Sequence, residues 1–187
     1  MKFPRSIFIF SAITVIFLAL ALAGCSSKQN STDQQISAIN AIRAKLELPG
    51  LPLKYIGITD MVNSPSGGLK VAQFQDTQGR NYFVEPGTDQ VVEIDARSLL
   101  PGHSANGPTL SEADITAQAQ KFIAAAIPGF KTQQASWSYE AGNKGDNYFF
   151  SWYGQSPAGA MNRPFAQIAI YKSGLLFAYY NTLFLEK

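Results

Sequence analysis

The sequence predicts an α+β protein built as two units, each a helix followed by an antiparallel sheet, packed together behind an apolar N-terminal leader. Three observations predict it. Helical spacing of apolar residues occurs twice, at Ile36, Ile39, Ile42 and Leu46 and again at Ile115, Ala119, Phe122, Ile123 and Ala126. Each helical stretch stops at a Pro-Gly pair, Pro49-Gly50 and Pro128-Gly129. Extended, alternating segments then follow each stop, separated by turn residues.

The leader comes first in the chain. Lys2 and Arg5 precede an apolar run from Ile7 to Ala23 that only Ser11 and Thr14 interrupt. Small residues lead to Cys25, the one cysteine of the chain. This is the layout of a secretory signal. Leu22-Ala23-Gly24-Cys25 resembles the lipobox of bacterial lipoprotein signal peptides. The resemblance implies a signal peptide over 1–24, a diacylglyceryl group on the Cys25 sulfur, cleavage before Cys25 and acylation, as with palmitate, of the new N-terminus. At about 0.8 kcal/mol per buried methylene, such chains give an anchoring energy on the order of 20 kcal/mol. The plainer alternative is an uncleaved span, for which about 17 apolar residues is the lower limit. Localisation is therefore expected at the cell membrane, lipid-anchored on the extracytoplasmic side. Ser26 in place of Asp is compatible with outer-membrane delivery in a host that has one.

Without residues 1–24 the chain keeps 163 residues, with thirteen basic against thirteen acidic side chains. A neutral chain without Lys/Arg clusters argues against nucleic acid as a partner. A single, lipidated cysteine leaves no internal disulfide, so the Phe, Tyr and Trp residues (23 in the full sequence, 19 after residue 24) and the Val/Ile segments must supply the stability.

Residues 25–35 are polar and read as a tether. The first unit, 36–95, carries strands at Lys54–Met61, Leu69–Gln75, Arg80–Glu85 and Val91–Asp95, with turns at 63–68, 77–79 and 86–89. Short loops make neighbours antiparallel. Residues 96–110, rich in Pro, Gly and Ser, form the linker. The second unit, 111–187, opens with Ser111 as helix cap, Asp114 returning the bond, and Leu110 stapled on Ile115. Its strands are expected at Gln134–Glu140, Tyr148–Tyr153, Phe165–Lys172 and Leu175–Leu183.

Residues 82–94, with Tyr82, an acidic turn and a Val-Val-Glu-Ile strand, resemble the end of a PepSY domain. The second unit is similar to the PepSY-like repeats of the YcdB/YcdC group. The shared pattern is a Ser-Glu-Ala helix start, a Pro-Gly stop, Tyr148-Phe149-Phe150-Ser151-Trp152, an Ile-Ala-Ile strand and a final Tyr179 strand. The turn Gly87-Thr88-Asp89-Gln90 departs from the usual Thr-Gly. PepSY domains occur in metallopeptidase propeptides and cell-envelope proteins and bind or restrain peptidases, so the resemblance implies a binding or regulatory module, with its partner unspecified.

No GxSxG, HExxH or P-loop pattern is present, and the single histidine, His103, falls in the linker loop. No enzyme, cofactor or zinc site is expected. Glu85, Asp89, Glu93 and Asp95 crowd one hairpin, where calcium is conceivable; the preferred reading is a solvated hairpin with edge charges that deter strand addition. The aromatic residues of the last third are the main functional clue. Trp137, Tyr139, Tyr148, Phe150, Trp152, Tyr153 and Tyr179 form the candidate binding face, or else pack as core.

The expected function is a lipid-anchored module that binds a protein or peptide of the envelope by strand addition or on the aromatic face, and modulates an exported peptidase. The alternatives are a glycan- or solute-binding lipoprotein that stacks ligands on the aromatics, and a passive envelope scaffold.

Overall fold

The computed structural model describes residues 31–61, 68–100, 108–156 and 162–186. The leader, Cys25, Ser26 and His103 lie outside them. Helix α1 occupies 31–45 and is followed by β1 (Leu53–Met61), β2 (Leu69–Asp76), β3 (Asn81–Glu85) and β4 (Gln90–Asp95). A 3-10 turn at Arg97–Leu99 precedes α2 (Glu112–Ala126) and the short α3 (Phe130–Gln133). Then come β5 (Ser138–Lys144), β6 (Asn147–Tyr153), β7 (Phe165–Tyr171), β8 (Leu176–Asn181) and a last 3-10 turn, Leu183–Glu186. Among the described residues no helix is long and apolar enough to cross a membrane.

The expectation of two units, each with its own sheet, is corrected. All eight strands form one antiparallel sheet in the order β1-β2-β3-β4-β8-β7-β6-β5. The two four-stranded meanders are joined where β4 pairs with β8, through Glu93 opposite Tyr180, Ile94 opposite Tyr179 and Asp95 opposite Ala178. Both strands bury apolar residues beneath the helices. A buried strand edge without backbone partners is costly, and each strand here satisfies the other. Hydrophobic alternation identifies strands but carries no information on which distant edges meet. The helix also reaches back through 31–35, read from sequence as tether, with Gln35 buried.

Both long helices pack on one face. Ile39, Ile42 and Leu46 of α1 share a single core with Ile115, Ala119, Phe122 and Ile123 of α2. Phe74, Tyr82 and Ile94 meet them from the first meander, and Phe150, Ile168 and Tyr179 from the second. The start of α2 forms as its sequence dictates. The Ser111 hydroxyl accepts from the Asp114 N–H at 3.1 Å and donates to the Asp114 carboxylate at 2.6 Å. Beyond Pro128 the strand expected over Gln134–Glu140 begins only at Ser138. Gly129, at φ 73°, reverses the chain into α3, and the Thr132 and Ser136 hydroxyls bond back to the carbonyls of Gly129 and Gln133.

Helix α1 is fastened to the β2–β3 hairpin by a buried polar cluster. Asp76 accepts from Arg80 Nη1 at 2.8 Å and from the Tyr82 hydroxyl at 3.0 Å, and lies 3.5 Å from Arg43 Nη2. Its second oxygen takes the backbone N–H groups of Gln78 and Arg80, each at 3.0 Å. Arg43 also donates to Tyr82 (2.9 Å) and to the Leu51 carbonyl (2.7 Å). Burial by itself would raise the Asp76 pKa. The bonds from Arg80 and Tyr82 and the Arg80 charge outweigh it and hold the carboxyl below its ordinary value.

Removing Asp76 leaves two buried guanidinium groups without their anion. Asp76→Asn should cost about 3–5 kcal/mol in urea unfolding at neutral pH. Because the folded pKa is depressed, the native carboxylate's advantage is complete above about pH 4 and is lost as pH falls through the folded value. The stability gap between wild type and variant should therefore narrow only in acid.

Candidate binding face

Two helices cover one face of the sheet and leave the other to short peripheral segments. On the helix-free side, Met61, Val71 and Val92 form a small cluster against which Phe83 and Phe184 pack. Ala169, Tyr171, Phe177 and Ala178 form another, with Leu100 and Phe149 against it. Between them runs a row of rings contributed by successive strands. Tyr153 of β6 lies opposite Phe165 of β7 with ring centroids 6.1 Å apart, and Phe165 lies 5.8 Å from Tyr180 of β8. The Arg163 guanidinium sits 5.4 Å over the Tyr153 ring at one end. At the other end Tyr180 faces Glu93 across the β4–β8 junction.

Beyond Tyr180 the face opens into a groove of about 430 Å³, bordered by Met61, Val71, Phe83, Glu93, Phe165 and Tyr180. This is within the size range of small-ligand sites. Glu93 reaches it because β4 is irregular. The register slips between Phe83 and Val84, so Val91 points into the helix-side core while Val92 and Glu93 both serve the other face. A bulge re-aims a side chain in this way.

The charges around the groove are mostly paired. Lys70 holds Asp60 at 2.6 Å. Arg97 grips Asp95 through two nitrogens, at 2.9 and 2.7 Å. That grip, more than the opposing effect of burial, lowers the Asp95 pKa. Glu93 faces Tyr180 and, among the described residues, has no ion pair. Burial is the main reason its carboxyl is shifted upward; Asp95 adds to the shift, while Tyr180 and Arg97 oppose it. Burial and the Glu93 charge together push the Tyr180 hydroxyl well above the ordinary phenol value. The arrangement holds a carboxylate among aromatic rings.

The seven aromatics singled out from sequence do not form one face. Phe150, Trp152 and Tyr179 are buried beneath the helices. Tyr148 and Trp137 pack against that same core. Tyr139 projects at the β5 margin, 46% exposed, with its ring 5.2 Å from Trp152. Tyr153 alone lies on the helix-free side, in the ring row. The physical reason is that α2 lies over β6 and β7 and claims the residues of one parity, 148, 150 and 152. Phe83, Phe165, Tyr180 and Arg97 belong to no binding site expected from sequence, and Glu93 enters there only as one of the four candidate calcium ligands. Their only sequence signal is parity: Tyr180 must face away from Tyr179, and Tyr153 away from Trp152.

The four hairpin carboxylates separate likewise. Glu85 accepts from the Gly87 N–H (2.9 Å) and the Thr88 hydroxyl (2.7 Å), Asp89 occupies a left-handed turn position (φ 54°), Glu93 faces the groove and Asp95 holds Arg97. Among the described residues no group of three or more metal-ligating side chains converges.

A carboxyl whose pKa is raised by folding weakens the native state as pH climbs from its unfolded value through its folded one. Glu93→Gln should therefore unfold at a higher urea concentration than wild type at pH 7. Below about pH 4, where the glutamate is protonated in both states, the two should coincide. Comparison of the chain with family models, with curated proteins and with solved structures finds no match.

Proposed function

We propose that this chain is a non-catalytic, lipid-anchored, extracytoplasmic module that captures an extended peptide segment of an envelope protein along β1. The supporting observation is the character of that strand. β1 is nine residues long, stands at the sheet margin, and exposes Tyr55, Ile56 and Ile58 by 43, 45 and 55%.

Such an edge presents unpaired backbone N–H and C=O groups beside apolar side chains, which is what an added strand requires. The opposite margin is guarded by Glu140 and Lys144 on β5, all of whose residues are exposed. Coverage explains why β1 is bare. Two helices, each about 10 Å across, roof roughly 20 Å of a sheet that at about 4.8 Å per strand is about 34 Å wide. Ile58, opposite Ala72, and Tyr55, opposite Phe74, lie on the helix side but outside that roof. A peptide with apolar residues at alternate positions would continue the sheet and cover them.

The lipobox-like leader supports the location and the PepSY resemblance supports the partner class, an exported peptidase whose activity the module restrains. Cys25 is the anchoring residue. Cys25→Ser should move the protein from the membrane to the soluble fraction on cell fractionation.

Fluorescence anisotropy with extended, alternately apolar peptides tests the capture. Ile58→Lys should weaken binding at least tenfold while changing unfolding free energy by no more than about 0.5 kcal/mol, as for other exposed positions. Equal binding by the two proteins would refute capture at β1.

A further inference from the structure

The groove on the helix-free face has chemistry of its own. We infer that it is a binding site for a small organic ammonium ion, held by the Glu93 carboxylate against the rings of Phe83, Phe165 and Tyr180.

Charge complementarity argues for that occupant. Of the charged residues bordering the groove, Asp60 is neutralised by Lys70 and Arg97 by Asp95, each within hydrogen-bond distance. Glu93 remains, so the groove carries an excess of one negative charge over its described lining. An anionic ligand would meet that carboxylate unscreened. A neutral ligand would leave it desolvated without an ion partner, which is the expensive arrangement. A cation compensates it.

The walls fit the same choice. Aromatic faces attract ammonium groups through the ring quadrupole, most strongly where water is excluded. Phe165 and Tyr180, tilted 33° to one another at 5.8 Å, make a continuous surface on one side, and Phe83 lies across from them on β3. Methyl or methylene groups attached to the nitrogen would find Met61 and Val71. Tyr180 stands directly opposite Glu93 across the β4–β8 junction, which sets the carboxylate beside the rings. A volume of about 430 Å³ admits a compact amine and its hydrocarbon substituent.

The inference does not rest on peptide capture at β1. Isothermal titration calorimetry on the full-length chain in nonionic detergent tests it, with phenethylammonium and its neutral counterpart phenethyl alcohol as probes. The ammonium is expected to bind at least tenfold more tightly than the alcohol. Glu93→Gln should abolish that preference without lowering the melting temperature. Phe83→Leu should weaken ammonium binding while sparing the fold, and Ile58→Lys should leave it unchanged. Equal affinity for the charged and neutral probes, no heat with either, or undiminished ammonium binding by Glu93→Gln would each overturn the assignment.

Discussion

Three residue pairs between β4 and β8 decide the shape of this protein. Without them the chain would be two separate meanders, each with an unpaired inner strand. With them, the two long helices become neighbours over one sheet and their apolar stripes enter a single core. A unit of sixty or seventy residues buries too little apolar surface to be robust alone. The junction overcomes that limit by pooling both cores, from Ile39 in α1 to Ile168 in β7. It also fixes the margins. Once β4 and β8 are paired, the free edges can only be β1 and β5.

The polar cluster at Asp76 has a narrower task. Apolar packing of α1 on the sheet is non-directional and would tolerate sliding. Arg43, reaching from α1 to Tyr82, Asp76 and the Leu51 carbonyl, sets the position of the helix against the β2–β3 hairpin. Arg80 enters from the hairpin itself. Asp76 thus holds two cations, and Arg43 Nη2 and Arg80 Nε have no hydrogen-bond partner among the described side chains. Geometric specificity comes here at some cost in stability.

What the sequence reveals is local. Ser111 and Asp114 announce the start of α2, Pro128 and Gly129 its end, and alternation from Leu69 to Asp95 marks three strands within a residue or two of their bounds. These features depend on neighbours a few positions away. The face each strand presents depends on more. Strict alternation in Gln90–Asp95 puts Val91 and Glu93 on the same side, yet the bulge separates them. In β8 a slip near Phe177 places Leu176 and Tyr179 under the helices and Phe177 and Tyr180 on the other face. Such irregularities arise from register with a partner strand, which periodicity does not encode. The ring row is invisible for the same reason: Tyr153, Phe165 and Tyr180 come from three strands and become adjacent only through pairing.

Glu93 brings these threads to one place. It belongs to the junction, opposite Tyr180, and a bulge turns it toward the groove rather than the core. A protein under pressure for stability alone would put an amide or an apolar side chain there, since a half-buried carboxylate without a countercharge weakens the folded state. Asp95, two residues on, shows the alternative within the same strand: its carboxylate is bound by Arg97 and its pKa falls. The strand therefore has access to an arginine and directs it to Asp95, leaving Glu93 open among aromatic rings. A charge kept uncompensated where a countercharge lies so close is a stability cost that a cationic ligand would relieve on binding, which ties the groove's chemistry to the one contact that makes the sheet continuous.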